Sequence, residues 1–373
     1  MNKCNPINER IKRAYFEYQK EANKKSQSTI DNIRKAISRY ELDTKYQRFE
    51  SFNRHKAIAF KKALTQAKSS SGEDYLSKAT ILSTVRHLQD FFKWLSREKG
   101  YKRLDVREIA YFNPSENEIR IAHAKKRRPV PSLEQIKAVI NSMPSGNDIE
   151  LRNRTLIAFT ILTGIRYGAL ASLKLKHIKL DDKLVEQLPP EVKTKFGKTI
   201  YTYFFPVGED IEQIVVEWVN YLYKIKLFNP DDPVFPKTKL IQDKNNFFIA
   251  GGIEPVCWQS ANQIGKIFKE AFTNAGMQYF NPHSFRTTLG RLGETLCRTQ
   301  EEFKAWSQNL GHEHPVTTFT SYGYVEEYMQ GQIIKNLSKN KNNEKDTLEE
   351  KVDELLKEMK NNRMTRANSC GQP

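Results

Sequence analysis

Four consecutive cations followed by two prolines, Lys125-Lys126-Arg127-Arg128-Pro129-Val130-Pro131, constrain this chain more than any other stretch. Adjacent charges of one sign resist burial, and each proline drives the residue before it out of the α region, so neither a core nor a helix runs through the segment. A chain of 373 residues is long enough for two domains, and this is where it divides. The expected organisation is a helical domain over 1–112, a basic linker over 113–131, a second domain over 132–335 and a tail over 336–373.

Charge distinguishes the two parts. Of the formal +17, residues 1–128 hold 30 Lys and Arg against 15 Asp and Glu, whereas residues 129–373 hold 31 against 29. A basic first part joined to a nearly neutral second part suggests a grip on a polyanion, because phosphate neutralisation is the main sequence-independent source of nucleic-acid affinity. Lys125, Lys126, Arg127 and Arg128 are then candidates to lie along a phosphate backbone; the alternative is a solvated hinge. Cys4, Cys257, Cys297 and Cys370 form no C-x-x-C pair, so reduced thiols are expected, with neither a disulfide framework nor a zinc site. No apolar run is long enough to span a bilayer, and the first residues lack a signal peptide's apolar region. A cytoplasmic protein with no membrane partner is expected.

Residues 26–110 read as helical. Ile30, Ile33, Ile37 and Tyr40 recur at helical spacing behind a cap at Ser28 or Thr29. After Ser69-Ser70-Ser71-Gly72, a second stripe follows: Ile81, Val85, Leu88, Phe91, Phe92 and Leu95, started by Ser77 or Thr80 and ended by Gly100. The aromatics Phe91, Phe92 and Trp94 are expected in the core. Beyond the linker, Ser132-Leu133-Glu134-Gln135 has the form of a capping box. Helices are expected over 151–175, broken at Thr163-Gly164, and over 211–226, 260–275, 285–297 and 300–309. Between Val192 and Val207, the strand formers Ile200 to Phe205 follow Lys195-Phe196-Gly197-Lys198, a small hairpin with a lysine-bearing turn. The fold class is mainly α with a small β-sheet. In the tail, Leu348, Val352, Leu355 and Met359 are spaced as a short coiled-coil or docking helix.

The chemistry lies in an ordered set: Arg166 in Thr163-Gly164-Ile165-Arg166, then the lysine turn, His283-Ser284-Phe285-Arg286, Leu310-Gly311-His312 and Tyr322. Cleaving a phosphodiester without a metal requires rigid bidentate donors for the non-bridging oxygens, a role that suits Arg better than Lys. A nucleophile must lose a proton and the leaving 5′-oxygen must gain one. His283, His312 and Lys195 are suited to those transfers, with Lys198 competing for the lysine role. Tyr324 and Tyr328 compete with Tyr322 as the attacking phenol. His314 forms an H-x-H pair with His312, but no third ligand stands at convincing spacing, so neither a metal nor another cofactor is expected. His177 and His123 are read as ordinary surface or boundary histidines.

These motifs resemble those of the tyrosine recombinase, or phage integrase, family: an arginine in T-G-x-R, a lysine in a β-hairpin, H-x-x-R, L-G-H and a nucleophilic tyrosine. The match runs in order over roughly 130–330, and residues 26–110 resemble the family's helical core-binding domain. The resemblance implies that the second domain is a mixed α/β catalytic domain, and that Tyr322 attacks the scissile phosphate to leave a 3′-phosphotyrosine and a free 5′-hydroxyl. It implies that Arg166 and Arg286 clamp the phosphate, Lys195 protonates the leaving oxygen, His283 serves as acid or base and His312 hydrogen-bonds the phosphate. It further implies double-stranded DNA with inverted-repeat core sites as partner, two protomers per site and four in synapsis, and a place on the nucleoid. One departure is Ala169, where the family often has an acidic residue three positions after the first arginine. The competing readings are a type IB topoisomerase and a DNA-binding accessory protein that does not cleave.

Overall fold

The computed structural model describes residues 4–69, 74–124, 129–194 and 197–312. The cation run 125–128, Lys195, Tyr322 and the whole tail, including Leu348 to Met359, lie outside the described residues. The chain forms two compact units, Met1–Arg127 and Arg128–Pro373.

The first unit is helical: α1 (Pro6–Glu17), α2 (Gln27–Asp43), α3 (Arg54–Gln66), α4 (Lys78–Leu95), α5 (Val106–Ile109) and α6 (Glu116–His123). The α4 stripe forms its centre, with Leu88, Phe91 and Phe92 fully buried. Phe92 stacks on Phe52 at 4.1 Å between centroids and meets Tyr40 edge-on at 5.3 Å. Removing such a ring costs about 3–5 kcal/mol. No lysine or arginine among this unit's described residues is buried, so its positive charge faces outward.

Three local features differ from the sequence expectation. The α2 helix starts at Ser26, whose side chain accepts from Thr29 N, two residues before the expected cap. Helix α4 ends at Leu95, before Gly100. Part of the expected linker is helical, because Ser115 and Glu118 close a reciprocal capping box that starts α6.

The second unit holds α7 (Leu133–Ser142), α8 (Asp148–Thr163), α9 (Tyr167–Leu170), β1 (Ile178–Lys179), β2 (Leu184–Gln187), β3 (Ile200–Tyr203), α10 (Glu209–Lys224), β4 (Lys237–Gln242), β5 (Phe248–Glu254), α11 (Asn262–Asn274), α12 (Ser284–Leu296) and α13 (Gln300–Asn309). Ser132 and Gln135 cap α7 reciprocally, as their spacing predicts.

Helix α8 is buried at every position from Thr155 to Thr163, which makes it the axis of the unit. It packs on α10, whose inward stripe is Ile211, Val215, Trp218, Val219 and Leu222. Its own buried Arg152 donates to Pro236 O and Thr238 Oγ1, which ties the base of the β4–β5 hairpin to the helix.

The three-stranded sheet is antiparallel with β2 in the middle, in register Ile178↔Val185 and Gln187↔Ile200. The strand expected at Ile200 therefore pairs with Leu184–Gln187, and the connection between them carries the lysines.

Candidate active site

Helix α8 places the first arginine. It stops at Gly164, which adopts φ +60°, and Arg166 then begins α9. A Cβ on Gly164 would lie 2.8 Å from Leu289 Cδ1 and 2.9 Å from Leu310 Cδ2, so both the backbone angle and the packing demand glycine.

That close approach brings the α8 terminus against α12 and the turn after α13. His283 sits at the N-cap of α12 and is exposed, while Arg286, three residues on, is 2% exposed. The Arg286 guanidinium donates from Nη1 to Gly164 O and from Nη2 to Leu310 O, and Nη2 also donates to His312 Nε2 at 2.9 Å.

The last motif is held by the sheet. Asn309 Nδ2 donates to Tyr203 O and its Oδ1 accepts from Tyr203 N, so the end of α13 acts as one more rung on β3. Gly311 follows at φ +70°, with Ile200 Cδ1 3.0 Å from where its Cβ would be. This turn delivers His312, 9% exposed, to Arg286.

The electrostatics are one-sided. Burial, then Arg286, Arg166 and His283, push the His312 imidazole down to about 4, so it is neutral near pH 7. Nε2 accepts from an obligate donor, which leaves the ring proton on Nδ1. Among the described residues, the hydrogen-bond partners of Arg286 are two carbonyls and this neutral ring, and its buried Nε has none. A buried cation without a countercharge is costly, and an entering anion offsets that cost. The four sequence candidates Arg166, His283, Arg286 and His312 thus meet in one place. Together they gather cationic and hydrogen-bonding groups with no carboxylate among the partners of Arg286 in the described residues.

Two clefts flank it. One, of about 480 Å³, is bordered by Lys198, Tyr201, Tyr203, Gln308, Gly311 and His312. The other, of about 740 Å³, includes His283, Tyr167, Tyr279, Thr287 and the α11 lysines Lys266 and Lys269. Sequence reasoning passed over these two lysines. Their i, i+3 spacing on one helix face was the available signal.

Other residues singled out in the sequence lie as follows. Ala169 is buried in the core, so a carboxylate at that position would have no place in this packing. His177 is buried, 3% exposed, not on the surface, and its ring Nδ1 is satisfied there by Lys174 N at 3.1 Å. Cys4, Cys257 and Cys297 are free thiols. Among the described residues no group of three His, Cys, Asp or Glu is placed to hold a metal ion, and no helix is long and apolar enough to cross a membrane. His314 lies outside the described residues.

Residues 132–329, more than half of the chain, match the phage integrase family. The chain belongs to that family. Within it, tyrosine recombinase XerC of Lactobacillus delbrueckii subsp. bulgaricus is 25% identical over 246 residues, covering 65% of this chain and 71% of the relative. In fold, the chain is similar to a lambda integrase dimer bound to a COC′ core site, with a TM-score of 0.58, 16% identity and coverage of 86% and 96% of the two chains. A lambda integrase tetramer bound to a Holliday junction gives a TM-score of 0.53, 15% identity and coverage of 84% and 83%. The integrase assignment makes this protein a site-specific DNA recombinase of the tyrosine type, an enzyme that cleaves and rejoins DNA strands.

Proposed function

We propose that this integrase carries out its reaction with Arg166, Arg286 and His312 around the scissile phosphate, His283 and a lysine of the β2–β3 connection moving protons, and Tyr322 as the nucleophile. The observation that carries this reading is Arg286, buried, pinned by two carbonyls and an imidazole, and lacking a countercharge among the described residues. Such a guanidinium needs no reorganisation as charge builds on the non-bridging oxygens, which is where oriented donors accelerate phosphoryl transfer most.

In the reaction, the Tyr322 phenol loses its proton to His283 and its oxygen bonds to phosphorus. The bond from phosphorus to the 5′-oxygen breaks, and Lys195 or Lys198 supplies the proton that leaves with the 5′-hydroxyl. The 3′-phosphotyrosine conserves the phosphodiester's energy, so a second strand's 5′-hydroxyl reverses the step without ATP. His312 acts in this scheme by fixing Arg286 and presenting Nδ1–H.

The substrate is double-stranded DNA carrying inverted-repeat core sites, with the basic first unit as the core-binding domain. The cleft at His283 seats the backbone beside the scissile phosphate on Lys266 and Lys269, and Lys125 to Arg128 neutralise further phosphates. Dimers on a site and tetramers in synapsis agree with the assemblies in which lambda integrase is seen. The working place is the nucleoid.

Recombination between two cognate sites on one plasmid, scored in the presence of chelator and without ATP, tests the reading. Product circles of the expected sizes support it. Relaxation of any supercoiled plasmid with no exchange would indicate a topoisomerase instead.

A further inference from the structure

The connection between β2 and β3 carries both candidate lysines, and the segment leading to them is anchored more firmly than its exposure suggests. Lys193 N donates to Ser172 Oγ at 2.9 Å, and Ser172 Oγ donates in turn to Ala169 O at 3.1 Å. Ala169 N donates to Arg166 O at 2.8 Å. A short relay of hydrogen bonds therefore joins the turn of Arg166 to the residue two positions before Lys195. Val192, beside it, is buried in the core.

A second anchor acts one residue earlier than Val192. The Glu191 carboxylate lies 2.9 Å from Lys176 Nζ, 3.3 Å from Lys174 Nζ and 3.5 Å from Nε2 of the buried His177. Asp231 closes the ring from the other side, 2.8 Å from Lys176 and 3.2 Å from Lys174. Single exposed ion pairs contribute little, since solvent screens them and two long side chains must be ordered. A closed set of two lysines and two carboxylates over an imidazole instead fixes position. All the groups it joins to Glu191 belong to the segments after α9 and after α10, so it ties Glu191, at the root of the connection, to the segment that follows Arg166 and α9.

We propose that Ser172 and Glu191 are positioning residues for the proton transfer to the leaving 5′-oxygen: they hold residues 191–193, the root of the lysine-bearing connection, in register with Arg166. This rests on the reading that a lysine there is the general acid. Neither residue touches the phosphate.

The test compares two DNA substrates under single-turnover conditions, one with the natural 5′-oxygen at the scissile position and one with sulfur in its place. A thiol's pKa near 8.5 lets sulfur depart as thiolate, so that substrate needs no proton donor. Ser172→Ala and Glu191→Gln are expected to slow cleavage of the natural substrate roughly 10- to 100-fold, the scale of a misplaced catalytic group. On the sulfur substrate both should return to within about twofold of the unmodified protein, and Ser172→Thr should restore the natural rate. Equal slowing on both substrates, or no slowing at all, would overturn the proposal.

Lys195→Ala and Lys198→Ala in parallel separate the two levels. If sulfur rescues one lysine variant but neither anchor variant, positioning by Ser172 and Glu191 is refuted while the general acid stands. If sulfur rescues neither lysine variant, the general-acid reading fails and takes the proposal with it.

Discussion

His312 links the catalytic arrangement to stability in a way that can be measured without DNA. Its imidazole titrates near 4 in the folded protein, against about 6.5 in an unfolded chain. Between those values the unfolded state binds more protons, so stability from this group is fully present above pH 6.5 and declines as pH falls towards 4. Linkage gives a loss of roughly 1 kcal/mol at pH 5.5 and roughly 2–3 kcal/mol at pH 4.5 relative to pH 7.5. The perturbation is His312→Gln, which keeps an acceptor for Arg286 and removes the titration. Urea unfolding of the second unit's transition in both proteins, at the three pH values, yields the difference directly. Because other acid-sensitive groups, such as His177 and Glu294, titrate alike in both proteins, they cancel. The expected result is a variant whose stability falls less with acid by those amounts. Parallel pH curves would refute a depressed His312 and with it the neutral acceptor role at Arg286.

Arg286→Lys keeps a charge but loses the fork that binds two carbonyls and the ring; single-turnover cleavage should fall about 10²- to 10³-fold while DNA affinity changes only a few-fold in a filter-binding titration. Gly164→Ala adds a Cβ against Leu289 and Leu310 at φ +60°, so denaturant unfolding should show a loss of roughly 2–4 kcal/mol, with Arg286 displaced and cleavage reduced. Lys266→Ala and Lys269→Ala should each reduce the slope of log affinity against log salt by about 1, across cognate and random DNA alike, leaving the cleavage rate at saturating DNA within about twofold; an unchanged slope would remove those lysines from the DNA path.

Much of this was legible because it rests on local rules. The Thr163-Gly164 break marks a left-handed residue where any side chain would be strained, and the Ser132 capping box sets the start of α7 from four residues alone. The α4 stripe was readable because its period matches a helix with one buried face. The convergence of Arg166, His283, Arg286 and His312 followed from ordered motifs.

What escaped lacked a local signature. The β4–β5 hairpin is exposed along most of both strands, so no alternation of apolar and polar residues announces it. Strand β2 is only four residues long and is defined by its pairing with β3. Helix α1 has a local start in Asn5 and Pro6, but its docking rests on buried Asn8, which donates to Glu41 Oε1 and Gln47 O and accepts from Phe49 N, a network made across more than 30 residues of sequence. Buried His177 has its ring nitrogens facing Lys174 N and the Glu191 carboxylate, partners that its own letter does not reveal. The pinning of Arg286 by the carbonyls of Gly164 and Leu310 is likewise invisible in a string of letters, since carbonyls belong to every residue.

The central claim is that this recombinase cleaves DNA through Tyr322. The most direct measurement traps the covalent complex on a nicked duplex bearing a cognate site, digests it, and maps the DNA-linked peptide by mass spectrometry, with Tyr322→Phe alongside. The account predicts a 3′-phosphotyrosyl linkage on Tyr322 and no adduct from the variant despite intact DNA binding. An adduct on Tyr324 or Tyr328, or undiminished adduct from Tyr322→Phe, would contradict it.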